Sequence, residues 1–430
     1  MTLESQIFDM MGYENIGLPR GSKEYINKLN KIKILGLIRE HDEISRAELV
    51  RLTSLSPPTV SRIVKGLIAE EKLVSAMGVG SSNGGRPPVI LKFKGDSSYV
   101  IGIDLGATTT RGVLADLNGK FIEEIDVPTR LSDGSDEIIA DVVEIIHRLA
   151  GSKKKAASSR IFGVGIAVAG LVDVQNEMIV YSPDFNWHQI DIIGALRDKI
   201  EFPVIFDNVT RLMALGELRF GHAKKSKNFI CVNVGYGIGS GIIVNGLTLT
   251  GRTGFAGEFG HITIDRESDI LCSCGKYGCL EALASGKAIA LTAQSRLARG
   301  QHSLLLELSG GQINNVTAKM VAEAAKAGDE LSLNVFSKAL EYIGIGIADL
   351  VNLFNPEMIV IGGGVSKAGD MFFEKIEEVI NKHILQPSSG DLNILPVAFG
   401  KNAALMGAFT LLLNRVLNLD MVWEEEAKTV

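Results

Sequence analysis

Residues 45–68 read SRAELVRLTSLSPPTVSRIVKGLI. Ser45 stands where a helix N-cap belongs, and Glu48 three residues on completes a capping box, so a short helix over RAELVRLTS is predicted. Ser56 offers a second cap. Pro57 and Pro58 then open the next helix, where the missing proline N–H costs nothing. In that helix Val60, Ile63, Val64, Leu67 and Ile68 recur at helical spacing and form one apolar face. Thr59, Ser61, Arg62 and Lys65 fall mostly off it and face outward. Two capped helices joined by a tight turn, the second with a polar and basic outer face, read as a helix-turn-helix whose second helix enters the DNA major groove.

The flanks extend this reading. Upstream, Ile26, Leu29, Ile32, Leu35 and Ile38 predict a helix from about Glu24 to His41. Downstream, LVSAMGVGSSNGGRPPVILKF (73–93) places two apolar runs around a Gly/Ser/Asn-rich turn that ends in Arg86, the pattern of a β-hairpin wing. Thr59, Ser61, Arg62 and Lys65 are the expected base and phosphate contacts, with Arg86 reaching a backbone phosphate or the minor groove. Charge agrees: residues 21–95 carry 13 Lys and Arg against 7 acids, whereas residues 96–430 carry 30 against 40. A small helical packing domain with incidental basic residues is the alternative, but caps, wing and charge all favour the DNA reading.

The whole chain has 430 residues, 46% hydrophobic and 22% charged, with a formal charge of −6. That length implies two or three domains, and the composition excludes global disorder and a disulfide scaffold. No run of 18 apolar residues occurs, and MTLESQIFDMMGYENIG lacks the pattern of a secretory signal, so a cytoplasmic location with no membrane partner is expected. From Tyr99 onward, buried-strand runs such as YVIGIDLG, IFGVGIAVAG and MIVIGGG alternate with helical patterns, which is an α/β texture. A Gly-rich strand turn occurs twice, IGIDLGATTT (101–110) and VNVGYGIGSG (232–241), hinting at a duplication of two lobes facing a cleft. Lys153, Lys154 and Lys155 read as solvated surface charge.

Three of the four cysteines, Cys272, Cys274 and Cys279, crowd into CSCGKYGC, with ten residues between His261 and the first. One His and three Cys complete a tetrahedral zinc shell with no open position, a structural Zn2+ site; a chance cluster of thiols is the alternative. Cys231, inside an apolar strand, reads as core. Polar residues gather in FDN (206–208), in GEFGH (257–261) and at Glu281, the mixture of donors and acceptors a sugar needs. With one ring nitrogen of His261 on zinc, the other is left for a ligand. Asp104, at a strand end, suits either a metal-bound nucleotide or a turn cap.

These motifs, together with NPEMIVIGGGV (355–365), resemble the ROK family (repressors, open reading frames and kinases) from about Gly21 to Leu413, and more narrowly its sugar-responsive repressors. The resemblance implies an N-terminal extension (1–22), a winged helix-turn-helix (23–95) and a two-lobe actin-like, hexokinase-like body. Its α/β lobes would span 96–212 and 213–402, with a terminal helix near 403–417 returning to the first. It also implies a structural zinc on His261, Cys272, Cys274 and Cys279, and a homodimer or dimer of dimers. The family's sugar contacts fall on Gly170, Asp184, Asn208, Glu258, His261 and Glu281. Asp184 stands where the kinases usually have Asn.

The kinase positions depart from the family pattern. ROK kinases place an Asp general base directly after the Asn; here Val209 stands there, and it cannot accept a proton. Ala107 and Thr109 replace a usual Gly and Lys in the first phosphate loop, and Asn233 and Tyr236 replace small threonines in the second. ATP is therefore not expected as a cofactor and no catalytic residue is assigned. The expected function is a sugar-responsive DNA-binding repressor of carbohydrate genes with an impaired kinase-like effector body, its partners operator DNA and a sugar. An active sugar kinase carrying a DNA-binding domain is the alternative, and control by a docked protein is a weaker third.

Overall fold

The computed structural model describes residues 23–41, 43–69, 72–79, 89–152, 160–385 and 392–417. The extension 1–22, Arg86 of the expected wing, Lys153 to Lys155 and the tail after residue 417 lie outside them.

The front unit holds α1 (Lys23–Glu40), β1 (Ile44–Ser45), α2 (Arg46–Thr53), α3 (Pro57–Ala69), β2 (Val74–Val79) and β3 (Val89–Phe93), with the strands in the order β1-β3-β2. The capping box forms: Glu48 N–H donates to Ser45 Oγ at 3.2 Å and Ser45 N–H to Glu48 Oε2 at 2.8 Å. Ser56 Oγ accepts the Thr59 N–H and so caps α3. Val60, Ile63, Val64 and Leu67 are buried, while Ile68 is half-buried. Ile26 departs from its expected stripe and is exposed, because burial on α1 begins only at Ile32. β2 and β3 pair antiparallel as the two sides of the wing.

The body contains two sheets of one design. The first is built from β4 (Ser98–Leu105), β5 (Thr109–Asp116), β6 (Phe121–Pro128), α4 (Ser135–Ala150) and β7 (Arg160–Val168). A small side sheet follows, of β8 (Leu171–Asp173), β9 (Met178–Ser182) and β10 (Trp187–Asp191), then α5 (Ile192–Arg197) and β11 (Val204–Asn208). Helix α6 (Val209–Phe220) leads into the second unit. That unit opens with β12 (Phe229–Val234), β13 (Ile238–Val244) and β14 (Leu247–Thr248), followed by helices α7 (Leu280–Ala284), α8 (Gly286–Ala298), α9 (Leu305–Leu308), α10 (Ala318–Lys326) and α11 (Glu330–Phe354). It closes with β15 (Met358–Gly362), α12 (Asp370–His383) and β16 (Asn393–Pro396), and the described chain ends in α13 (Ala403–Leu417). The orders β11-β7-β4-β5-β6 and β14-β13-β12-β15-β16 repeat one topology: an antiparallel meander of three, then two parallel strands.

Between the sheets α6 crosses α13, close enough that a Cβ on Gly407 would lie 2.1 Å from the Leu212 carbonyl oxygen, so only glycine fits there. A division of lobes at residue 212 therefore falls inside one continuous helix. Among the described residues the apolar core of the front unit is continuous with that of the body. Ile32, Leu35, Leu49, Val60 and Leu67 belong to a cluster that also holds Val100, Leu117, Met406, Phe409 and Leu413. No helix among the described residues is long and apolar enough to cross a membrane.

Candidate functional site

The cleft between the sheets is an open one, with a cavity of about 90 Å³ that widens to about 670 Å³ when the solvent space of its mouth is counted. Gly170, Asp184, Asn208, Glu258, His261 and Glu281 all line it, although they come from separate segments along the chain. Gly170 follows β7 with φ +123, and a Cβ there would sit 2.4 Å from the Tyr181 carbonyl oxygen. Asn208 ends β11: its Nδ2 donates to the Gly170 carbonyl at 3.0 Å, and its Oδ1 accepts Thr210 N–H and Arg211 N–H to cap α6. Glu281 accepts the Ile238 N–H at 2.8 Å.

Burial raises all three carboxylates of the cleft, and Glu281 adds to the rise of the other two. Burial pushes Asp184 up to about 6, with Glu281 adding to the rise and Lys287 opposing it. Burial takes Glu258 to about 7, against the pull of Arg211. Glu281 is raised as well, again by burial. Val209 lines the same cleft, whereas Asp207 turns away and pairs with Arg211. Sequence reasoning missed Tyr181, Thr210 and Ser240, which also line the cleft. Thr210 carried a usable signal, since it sits two residues after a capping Asn.

Beside the cleft, the donor atoms of His261, Cys272, Cys274 and Cys279 all lie within 4.8 Å of one another. Cys274 Sγ and Cys279 Sγ are 3.6 Å apart, and Cys272 Sγ is 3.5 Å from His261 Nδ1. Zn–S bonds of ~2.3 Å at tetrahedral angles put thiolates ~3.8 Å apart, so the cluster fits that ion. The contact uses His261 Nδ1, and the ring also lines the cleft. Gly278 permits the fold-back, since a Cβ there would collide with the Asp265 carbonyl oxygen at 1.8 Å. From the mouth of the cleft the Tyr181 hydroxyl donates to the Ser273 carbonyl at 3.2 Å, joining the cysteine loop to β9.

In the front unit α3 presents Arg62 and Lys65 as exposed residues, with Thr59 and Ser61 half-buried. Arg62 Nη2 donates to Asn27 Oδ1 of α1 at 2.7 Å, a contact no local sequence signal foretold. Helix α6 links the two regions. It starts at Asn208 in the cleft and ends at Phe220, whose ring stands 5.5 Å from that of Phe409 and carries the Arg39 guanidinium of α1 at 5.3 Å. Asp104 is driven up to about 6 by burial, with Arg111 opposing. Tyr236 is exposed, with Lys287 Nζ 5.6 Å from its ring.

A groove-reading head built into a duplicated two-lobe body is the construction of a DNA-binding transcriptional regulator. Comparison supplies the family: residues 100–415 match the ROK family and residues 28–73 the winged helix-turn-helix DNA-binding family, and the chain belongs to the ROK family. It is 32% identical to the xylose repressor of Caldicellulosiruptor bescii over 93% of this chain and 98% of that one. Its fold matches a ROK family transcriptional regulator, a homolog of the E. coli MLC protein, with TM-score 0.78, 29% identity and coverage of 93% and 99%. The body alone matches a ROK family glucokinase from Streptomyces griseus, solved with glucose and AMPPNP, with TM-score 0.65 and 28% identity over 73% of this chain and 99% of that one.

Proposed function

We propose that this chain is a sugar-responsive repressor of carbohydrate genes, reading operator DNA through residues 23–95 and sensing a sugar in the cleft between lobes at 96–212 and 213–402. The observation that carries the reading is the convergence of all six expected sugar-contacting residues on one cleft. Arg62 and Lys65, with Thr59 and Ser61, are the DNA-facing set in this reading, joined by Arg86 of the wing. His261, Cys272, Cys274 and Cys279 hold a structural Zn2+, which orients His261 toward the ligand. The regulator acts as a homodimer or dimer of dimers on a two-fold operator.

Sugar binding lifts repression only where it favours one of two states of the molecule. Helix α6 is the route: lobe closure on the sugar shifts Asn208, and Phe220 carries the shift to α1. A coupling of about 2 kcal/mol changes operator affinity roughly thirtyfold. Val209 removes the proton acceptor a kinase would use. The ligand in this reading is a neutral sugar such as the xylose or glucose named for the relatives, because among the described residues the lining carries the carboxylates Asp184, Glu258 and Glu281, which would repel a phosphate.

The test is a gel shift of the full chain on DNA upstream of its own gene and of neighbouring sugar-transport genes, with competitor DNA and a panel of free sugars and sugar phosphates. A specific complex altered by one sugar is the expected result. Loss of specific binding under every condition removes the reading, and conversion of ATP and a hexose to products at about 1–10³ s⁻¹ replaces it with the kinase.

A further inference from the structure

We propose that Arg211, which lies outside the expected sugar-binding set, is the positioning residue that sets Glu258 against the opposite wall of the cleft by clamping the Gly254 loop to Asp207. This inference rests on the cleft being the sugar site.

Arg211 sits in the first turn of α6 and its side chain is only 3% exposed. Its Nε donates to Asp207 Oδ1 at 2.9 Å, Nη2 donates to the same oxygen, and Nη1 donates to the Gly254 carbonyl. The two partners belong to different lobes. Asp207 is in β11, beside Asn208, whose N–H its carboxylate also accepts at 2.6 Å. Gly254 lies in the loop that leads from β14 to Glu258.

That loop has few other restraints. Ser240 holds its end through the Gly257 carbonyl, and Ala256 N–H returns to the Thr250 carbonyl at 3.0 Å. Gly254 itself has φ +82 and lies against the Val172 carbonyl of the first lobe, where a Cβ would sit at 3.0 Å. The guanidinium is therefore a rigid fork with one prong on each lobe, a geometry a lysine ammonium does not reproduce. Burying that charge is costly unless it is paired and hydrogen-bonded, and all three of its nitrogens are so engaged. Removing the fork frees the loop, and with it Glu258, while leaving Asn208 on its own cap.

The experiment uses the full chain with Arg211→Lys and Arg211→Met, free D-xylose, D-glucose and N-acetyl-D-glucosamine as probes, and hydrogen exchange of residues 250–258 without sugar. Both variants are expected to speed exchange in that loop and to weaken sugar binding by about tenfold or more, Lys less than Met, while operator binding without sugar and metal content stay at the wild-type level. In a Glu258→Gln background Arg211→Met should cost far less, since it acts through Glu258. Wild-type exchange in the loop of the well-folded Lys variant overturns the clamp, as does full additivity with Glu258→Gln. Should no probe bind the wild type, the sugar reading of the cleft fails, and the exchange result still decides the clamp.

Discussion

Val209 lines the cleft between Asn208 and Thr210, and an isopropyl group offers no lone pair to a sugar hydroxyl. Its neighbour Asp184 carries a prediction of its own. An unfolded aspartate titrates near ~3.9, whereas burial holds Asp184 at about 6 in the fold. The folded chain thus binds this proton more tightly, so its contribution to stability is full below the unfolded value and lost as pH rises through 6. Asp184→Asn keeps the shape without the charge. Thermal melts should show it level with wild type at acid pH and progressively more stable toward pH ~8; a difference that does not grow with pH would contradict the assignment. On the proposed DNA face, Arg62→Ala should weaken operator binding by about 1–3 kcal/mol while sugar binding survives, as read by gel shift and calorimetry. Unchanged DNA affinity would remove Arg62 from the interface. These residues were legible because caps, spacing and motif register fix them in one dimension. The Asp207–Arg211–Gly254 fork was not, since its partners meet only when α6 turns one side chain toward a loop 43 residues away.

At the scale of elements, caps and periodicity predicted α2 and α3 well, and the wing strands followed from two short apolar runs. Pairing order is a different matter. A five-stranded sheet with both antiparallel and parallel neighbours is set by long-range packing, so the repeated Gly-rich turns hinted at duplication without giving the order. Helix α6 is the element with most to test. Its 12 residues span about 18 Å, with a cleft residue capping one end and Phe220 under Arg39 at the other. Arg39 is buried enough for its guanidinium to fall to about 10, through desolvation and then Arg219. Phe220→Ala should therefore leave sugar affinity near wild type and reduce the sugar's effect on operator affinity by about fivefold or more. Binding titrations with each ligand present and absent measure this; an intact coupling factor would place the route elsewhere.

On the scale of the whole molecule, the sequence marked a basic head and an acidic body as separate units with separate tasks, and it offered nothing on how they join. The join is apolar: Val100, Leu117, Met406, Phe409 and Leu413 complete the head's core. A fragment of residues 23–95 exposes that surface, and burial of each large aliphatic side chain is worth about 1.5–3 kcal/mol. The fragment is expected to lack a cooperative melt by circular dichroism, and a sharp transition would show that the head stands alone. The same join bears on how such chains diversify. Head and terminal helix lie more than three hundred residues apart in the sequence yet form one packed unit. A crossover that exchanges only the front of two related genes would pair a head with a foreign terminal helix. Recombinants that keep both ends from one parent and take the middle from another preserve the seam, so new ligand preferences are more readily inherited by insertion than by fusion.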